Sequence, residues 1–443
     1  MRSKWQSAWR RTVIGALLRA SGSGVPGFLR EFAEIEEMSP AQVEADQNKR
    51  LQLLLQHCHA HVPYYRRVLD EAGLNPQQPI TREDLEKLPV LTKDIIRAEG
   101  TAMLSDDRTK RKAFRNTSGG STGKPLVFFQ DRRYYEQNVV AAKLMYNKYY
   151  GKSIGDPEIN LWGSVRDIQQ GNLDTRARIT NYLYNRTFQN AFLVDETKLA
   201  RFVSEINRRK PVVIWAYVES IDLMARYIRD KGLEIHSPGF VLSTAGTLYP
   251  EVRETIESVF RCPVFNQYGS REVGAIAFDT RDKLGMRGLP YLNFVELVDS
   301  RIIVTSLTNY SMPLVRYEIG DTAEEWEGPQ DEMLGCEKKI FKSVTGRVIS
   351  HFKTASGGII HGQYFIHLFY FLSWVRQFQI VQETLNELVC RLVIAGEPDQ
   401  QDLERVESGI KSVMGEACKI SIEYVDQIVP SKSGKHMYTI CNI

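Results

Sequence analysis

Asn116-Thr117-Ser118-Gly119-Gly120-Ser121-Thr122-Gly123-Lys124-Pro125 joins the aromatic-basic pair Phe114-Arg115 to the apolar run Leu126 to Phe129. A backbone that wraps closely around phosphates needs glycine, which has no Cβ and tolerates positive φ. Exposed amides and hydroxyls then donate to phosphate oxygens, and a lysine adds a point charge. The segment points to a nucleoside triphosphate; a solvated glycine-serine linker is the alternative that the same composition allows. It is not a Walker A loop. Lys124 is followed by Pro125, and the first glycine of that motif would fall on Ser118.

Working outward, four more segments join it. Tyr268-Gly269-Ser270-Arg271-Glu272-Val273-Gly274 follows the apolar stretch Pro263 to Phe265, and Arg316-Tyr317-Glu318-Ile319-Gly320-Asp321 follows Pro313-Leu314-Val315. Thr345-Gly346-Arg347 comes next, and Pro430-Ser431-Lys432-Ser433-Gly434-Lys435 lies near the C-terminal end. In order and spacing these segments resemble the adenylate-forming superfamily of acyl-CoA ligases, adenylation domains and luciferases. His61-Val62-Pro63-Tyr64-Tyr65-Arg66 and Leu88-Pro89-Val90-Leu91-Thr92-Lys93 look like the N-terminal region of phenylacetate-CoA ligases and the related CapK proteins of polysaccharide biosynthesis. The extra glycine in Thr117-Ser118-Gly119-Gly120-Ser121-Thr122-Gly123 is similar to the CapK branch and leaves Gly119 and Gly120 interchangeable by one alignment position.

The resemblance implies roles. Thr117, Ser118, Gly119, Gly120, Ser121, Thr122, Gly123 and Lys124 would hold the β- and γ-phosphates of ATP. Glu272 would be catalytic and bind Mg²⁺, a hard cation that takes carboxylate oxygen. Tyr268, with Gly269 and Ser270, would stack near adenine, and Thr244-Ala245-Gly246 would line its other side. Asp321 would accept from the ribose hydroxyls, with a Gly-Asp turn as its bland reading. Arg347 would contact ribose or phosphate at a hinge, although Val348-Ile349-Ser350-His351 lacks the aspartate that often follows. Lys435 would be the catalytic lysine, bridging α-phosphate and carboxylate, with Lys432 its competitor. Two half-reactions would need two arrangements of a lid. Acyl-pocket positions would come from the 160s, from around Tyr217 and Glu219, and from 243–247 and 268–275. Trp162, Trp215 and Tyr217 would make an aromatic wall there, unless they are simply core.

Composition bounds the remaining classes. The 443 residues suffice for two or three domains, and 57 basic against 54 acidic residues give a net charge of +3, no argument for a nucleic-acid partner. No apolar stretch reaches membrane-span length. Six scattered cysteines contain no C-x-x-C pair and fit a reducing cytoplasm. His57, His59 and His61 alternate around Cys58, but on a helix residues two apart point about 200° apart, so the three do not share one face. The N-terminus carries Arg2, Lys4, Arg10 and Arg11 with Trp5, Trp9, Val13, Ile14, Leu17 and Leu18. It lacks a convincing signal-peptide cleavage site. It reads as a helix docked through its two tryptophans, or as a basic amphipathic helix on a membrane surface.

The expected fold class is α/β. A large N-terminal domain, 1–345, would have parallel sheets, crossover helices and a β-rich portion, and 346–443 would be a small mobile α+β lid. Within it, 1–110 reads as helical, with a break at Pro63 and helix entry at Thr81. Strands at Val212 to Trp215, Phe240 to Ser243 and Val264 to Gln267 alternate with helices at Lys198 to Arg209, Glu219 to Lys231 and Pro250 to Phe260. Ligands then bind beyond the strands' carboxyl ends, where Thr244-Ala245-Gly246 and Tyr268-Gly269-Ser270 fall. Further strands are expected at Phe294 to Val298, Arg301 to Ser306 and Ala323 to Glu327. In the lid, Gln377 to Glu383 would pair with Leu388 to Ala395, before a helix at Gln400 to Met414 and a strand at Lys419 to Val425.

The resemblance implies an ATP-dependent, AMP-forming carboxylate ligase that uses Mg²⁺. It would pass its acyl group to coenzyme A or to an amine or amino sugar, with a place in surface-polysaccharide synthesis. The alternatives are a degenerate nucleotide- or acyl-binding member of the fold and a membrane-associated polysaccharide assembly protein. The expected setting is cytoplasmic, as a homodimer, with a peripheral contact at the membrane's inner face through residues 1–20.

Overall fold

The computed structural model describes residues 2–118, 126–162, 175–189, 196–328, 338–347, 351–355, 357, 359–361, 365, 368–369, 372–429 and 437–443. Contacts divide the chain into a larger unit that ends at Thr345 and a smaller one that runs from Gly346 to Ile443.

In the larger unit the helical N-terminal part follows its punctuation. Ser39 caps the helix Pro40–His61 in a capping box with Gln42, and Thr81 caps Arg82–Glu86 with Asp84. Val62, forced into extended backbone by the following proline, separates Pro40–His61 from the helix Pro63–Glu71.

One 11-stranded sheet organises the rest of this unit. Its parallel half runs in the order Arg186–Gln189, Glu158–Leu161, Val213–Tyr217, Phe240–Thr244, Val264–Ser270. The helices Glu196–Arg209, Val218–Asp230 and Pro250–Phe260 lie between successive strands in the chain, as parallel pairing requires. The sheet then continues through Gly274–Asp279, Met286–Gly288, Lys339–Arg347, Tyr317–Glu325, Arg301–Ser306 and Asn293–Val298. The expected parallel and β-rich portions are therefore one surface, fused where Val264–Ser270 pairs parallel on one edge and antiparallel on the other.

Two expectations change. Tyr268-Gly269-Ser270 does not follow its strand but forms its last residues, held by pairing with Gly274–Asp279. The strand expected from Ala323 begins at Tyr317, so Asp321 sits inside a strand and not in the Gly-Asp turn of its bland reading.

The smaller unit is a four-stranded sheet, in the order Lys419–Tyr424, Glu387–Ile394, Val375–Thr384, Thr439–Cys441. Helix Gln400–Met414 buries Val406, Ile410 and Met414 in an apolar cluster with Phe378, Ile380, Leu388, Cys390 and Leu392. A short hairpin, His351–Lys353 with Ile359–His361, precedes the sheet.

Candidate functional site

The site is built at the carboxyl ends of two adjacent parallel strands. Phe240–Thr244 pairs with Val264–Ser270, Ser243 standing opposite Asn266. One step further Thr244 Oγ1 donates to Gln267 Oε1 at 3.2 Å, and Gln267 Nε2 donates to the Tyr268 carbonyl at 3.0 Å. Ala245 leaves the strand with φ +68, a conformation unusual for a residue with a Cβ. Thr244-Ala245 and Tyr268 thus come side by side.

Both nucleotide-contact candidates sit at β-bulges. Opposite Tyr268 and Gly269 the partner strand offers Ala277 and Ala275, so Ile276 is the extra residue. Opposite Ile303 and Arg301 stand Glu318 and Thr322, which leaves Ile319, Gly320 and Asp321 facing Ile302 alone. Gly320 supplies the bulge with φ +87. Bulges re-aim side chains next to active sites. Here they bring the Tyr268 hydroxyl to Asp321 Oδ2 at 2.8 Å, with the Tyr268 ring edge-on to buried Phe341 at 6.2 Å.

The strands on either side of the glycine-rich segment, Phe114–Thr117 and Val127–Gln130, pair as a hairpin. Ser118 closes the base: its amide donates to the Leu126 carbonyl and its Oγ accepts from the Leu126 amide, both at 2.8 Å. Buried Gln130 ties this base to the Glu272 loop. Its Nε2 donates to the Arg271 carbonyl at 2.7 Å and to the Glu272 carbonyl at 3.4 Å, while Asn116 Nδ2 donates to its Oε1 at 2.9 Å. Arg271 reaches back to the Thr117 carbonyl at 3.5 Å. The Tyr134 hydroxyl also donates to the Glu272 carbonyl, and burial, then the Glu272 charge, push its pKa up. Ser270 Oγ accepts from the Val273 amide at 3.4 Å, turning the chain that presents Glu272.

Of the expected site residues, the structure brings together Thr117, Ser118, Thr244, Ala245, Tyr268, Gly269, Ser270, Glu272 and Asp321 in the larger unit. Gly119, Gly120, Ser121, Thr122, Gly123, Lys124, Lys432 and Lys435 lie outside the described residues, as does the side chain of Arg347, which ends the strand Lys339–Arg347. Gly246 is described but takes part in none of these bonds. Trp162, Trp215 and Tyr217 do form one aromatic group, with ring centroids 5.0 Å and 4.6 Å from Trp162. Residues 163–169 and the Glu219 side chain lie outside the described set.

The N-terminal motifs, to which no role was given, prove to be the buttress of the Asp321 strand. Tyr65 OH donates to the Pro313 carbonyl at 3.1 Å and accepts from the Val315 amide at 2.9 Å. Leu91 bridges Tyr317 in parallel. Arg316, at φ +51, donates to Glu296 at 3.0 Å and to the Glu86 and Leu88 carbonyls at 2.8 and 2.6 Å. Burial pushes the Glu296 pKa up, against the pull of the Arg316 charge. Gln130 and this Arg316–Glu296 pair were missed because their partners lie 141 and 20 residues away, beyond any local pattern.

The three histidines do not share one face: His57 and His61, four residues apart, have rings 4.8 Å apart, while His59 points to Asp70. With Asp107, His57 and His61 form the group among the described residues that could hold a metal. Each already has a partner: the Tyr310 carbonyl for His57, Asp106 for His61 and Arg111 for Asp107. The five described cysteines are free thiols.

Over 93% of this chain and 92% of the other, the fold matches 2-hydroxyisobutyryl-CoA ligase in the postadenylation state with an acyl-AMP, at TM-score 0.69 and 20% identity. O-succinylbenzoate coenzyme A synthetase from Bacillus subtilis, in complex with AMP, matches at TM-score 0.50 and 14% identity, covering 73% of this chain and 67% of that one. The fold is that of the adenylate-forming ligases. Residues 352–442 match the CapK C-terminal domain model. The chain is 27% identical to Protein CapK of Staphylococcus aureus over 90% of its own length and 89% of that protein's. It is 35% identical to the phenylacetate-coenzyme A ligase of Thermus thermophilus over 21% of each chain. The chain is thus similar to Protein CapK along most of its length and to phenylacetate-coenzyme A ligases over a short stretch.

Proposed function

We propose that this protein activates a carboxylic acid with ATP and Mg²⁺ as an acyl-adenylate, releasing pyrophosphate, and transfers the acyl group to coenzyme A or to an amine or amino sugar. The observation that carries the reading is the coupling of Glu272 to the phosphate hairpin. Gln130 binds the carbonyls of Arg271 and Glu272 from the base of the loop that would hold the β- and γ-phosphates. Glu272 would hold Mg²⁺, whose charge would stabilise the phosphates, and that requires the carboxylate and the phosphate loop to be positioned together. Tyr268 and Asp321, joined at 2.8 Å, would take adenine and ribose.

The transition state at the α-phosphorus concentrates negative charge, and positioned cations lower its energy. Lys435 is assigned to the α-phosphate and the carboxylate, Lys124 to the leaving pyrophosphate, and Arg347 to ribose or phosphate. Residues 1–345 would bind ATP and the acid, and 346–443 would be the lid that carries Lys435. The neighbouring families' substrates support coenzyme A as an acceptor, and the CapK relationship supports a place in surface-polysaccharide synthesis.

Pyrophosphate release from ATP and Mg²⁺ against a panel of carboxylic acids tests this, with Lys435→Ala and Glu272→Ala alongside. Acid-dependent release lost in both variants is the expected result. Release that persists in both, or no ATP binding by calorimetry, would overturn the reading.

A further inference from the structure

The N-terminal helix Arg2–Ala20 docks, but Trp9, one of the two tryptophans expected to hold it, is exposed, and the Trp5 side chain lies outside the described residues. Ile14, at 2% exposure, and Ser7, whose Oγ donates to the Gly155 carbonyl at 3.5 Å, face the body of the unit. Gly155 permits this close approach, since a Cβ there would meet Arg10 Cβ at 2.8 Å. Trp9, Val13 and Leu17, spaced four apart on one face, remain 40%, 36% and 50% exposed. The neighbouring helix Thr175–Leu183 adds Ile179 at 56% and Tyr182 at 64%. Arg10 joins the two helices: its guanidinium lies 5.0 Å from the Trp9 ring and 4.7 Å from the Tyr182 ring, and it donates to the Tyr182 carbonyl.

Five large apolar side chains on two neighbouring helices thus face outward around a cation. Scattered exposed apolar residues need no explanation, but a grouped set marks a contact surface. The charge says which kind. Residues 2–30 carry Arg2, Lys4, Arg10, Arg11, Arg19 and Arg30 and no acidic residue, and the helix Thr175–Leu183 carries Arg176 and Arg178 and no acidic residue. Exposed apolar and aromatic side chains on segments rich in cations match the boundary of an anionic bilayer, where tryptophan and tyrosine sit at headgroup level and arginine meets phosphate. No helix among the described residues is long and apolar enough to cross a membrane, so the contact would be in the surface plane.

We infer that the face formed by Trp9, Val13, Leu17, Ile179 and Tyr182 docks this protein on an anionic lipid surface. The fixed contact through Ile14 and Arg10 holds that face outward from the unit that carries the Tyr268–Asp321 site. The inference is independent of the ligase reading, since neither Glu272 nor the nucleotide walls take part.

Flotation of the full chain with phosphatidylcholine vesicles, and with vesicles that also contain phosphatidylglycerol, tests it. Binding to the anionic vesicles alone is expected, weakened about tenfold or more by high salt. Trp9→Ser/Val13→Ser/Leu17→Ser removes the apolar anchor and should lower partitioning at least about tenfold. Arg11→Glu/Arg19→Glu should lower it about fivefold per cation or more. Ile179→Ser/Tyr182→Ser, on the second helix, keeps the test usable if the triple variant loses its helical circular dichroism. Absence of binding to anionic vesicles overturns the inference, as does equal binding of wild type and all folded variants. A fall in sedimentation mass in the variants with unchanged partitioning would make the face a self-association surface instead, and also overturns it.

Discussion

The Tyr268 hydroxyl donates to Asp321 Oδ2 at 2.8 Å, joining two motifs 53 residues apart in the chain. The bond holds a half-buried carboxylate in place while leaving it lone pairs for further donors. Asp321→Asn keeps the shape and removes the charge. A hydrogen bond to a charged group contributes about 1.5–3 kcal/mol, so ATP affinity by calorimetry should fall about ten- to a hundredfold. Tyr268→Phe removes only the positioning bond and should weaken binding a few fold. Wild-type affinity in Asp321→Asn would remove Asp321 from the ribose contact.

Gln130 is the physical link between the phosphate hairpin and the Glu272 loop. Gln130→Ala leaves the Asn116 amide and two backbone carbonyls without that partner, at about 1–3 kcal/mol of stability by urea unfolding. If the link positions Glu272, pyrophosphate release should also need more Mg²⁺ for half-saturation. A stability loss with unchanged Mg²⁺ dependence would reduce Gln130 to a structural role.

How far the sequence discloses this site depends on where local periodicity survives. The helices Pro250–Phe260 and Gln400–Met414 and the strand Arg301–Ser306 match their expected bounds because caps and turns flank regular patterns. Around Asp321 the bulge inserts Ile319-Gly320-Asp321 against Ile302 alone, breaking the two-residue alternation, so Gly320-Asp321 reads as a turn. The same holds at Tyr268-Gly269, opposite the extra residue Ile276. Chemistry-bearing residue types were therefore legible while their backbone setting was not. Trp9 shows the converse: helical spacing correctly gives a helix, but which stripe docks is decided by Gly155 and Ile14, far apart in sequence.

Gly269 stands at one of these bulges, where a Cβ would lie 2.4 Å from the Gly274 carbonyl oxygen. That atom is backbone and fixed by strand pairing, so Gly269→Ala must shift the strand end that carries Tyr268 and Ser270. The expected loss is about 1–3 kcal/mol in urea unfolding, together with weaker ATP binding. Gly27→Ala is the control: Gly27 lies in the helix Val25–Glu36 with nothing within 4 Å of its Cβ position. It should gain about 0.5–1 kcal/mol with ATP binding unchanged. Equal effects of the two substitutions would mean that the close approach at Gly269 does not constrain the site.

Beneath Trp215, a single buried carboxylate faces three cations. Glu158, 1% exposed, lies 2.7 Å from Lys143 Nζ, 3.1 Å from Lys152 Nζ and 3.1 Å from Arg186 Nε. Burial alone would raise its pKa, but Lys143, Lys152 and Arg186 outweigh it and hold the carboxyl well below its usual range. One anion cannot neutralise three cations, and burial of the surplus falls on Lys143, whose pKa is pushed down to about 7. Glu158→Gln leaves the cations uncompensated and should cost about 3–5 kcal/mol. The sign with pH follows from proton counting. The unfolded chain keeps the Lys143 proton up to its ordinary 10.5, while the folded chain releases it from about 7. Stability should therefore rise as pH increases from about 7 toward 10.5, because the unfolded state binds more protons there. Lys143→Met should flatten that rise and recover part of the Glu158→Gln loss, by urea unfolding at successive pH values. A Glu158→Gln variant as stable as wild type at pH 7 would show that the cluster is not held together by this carboxylate.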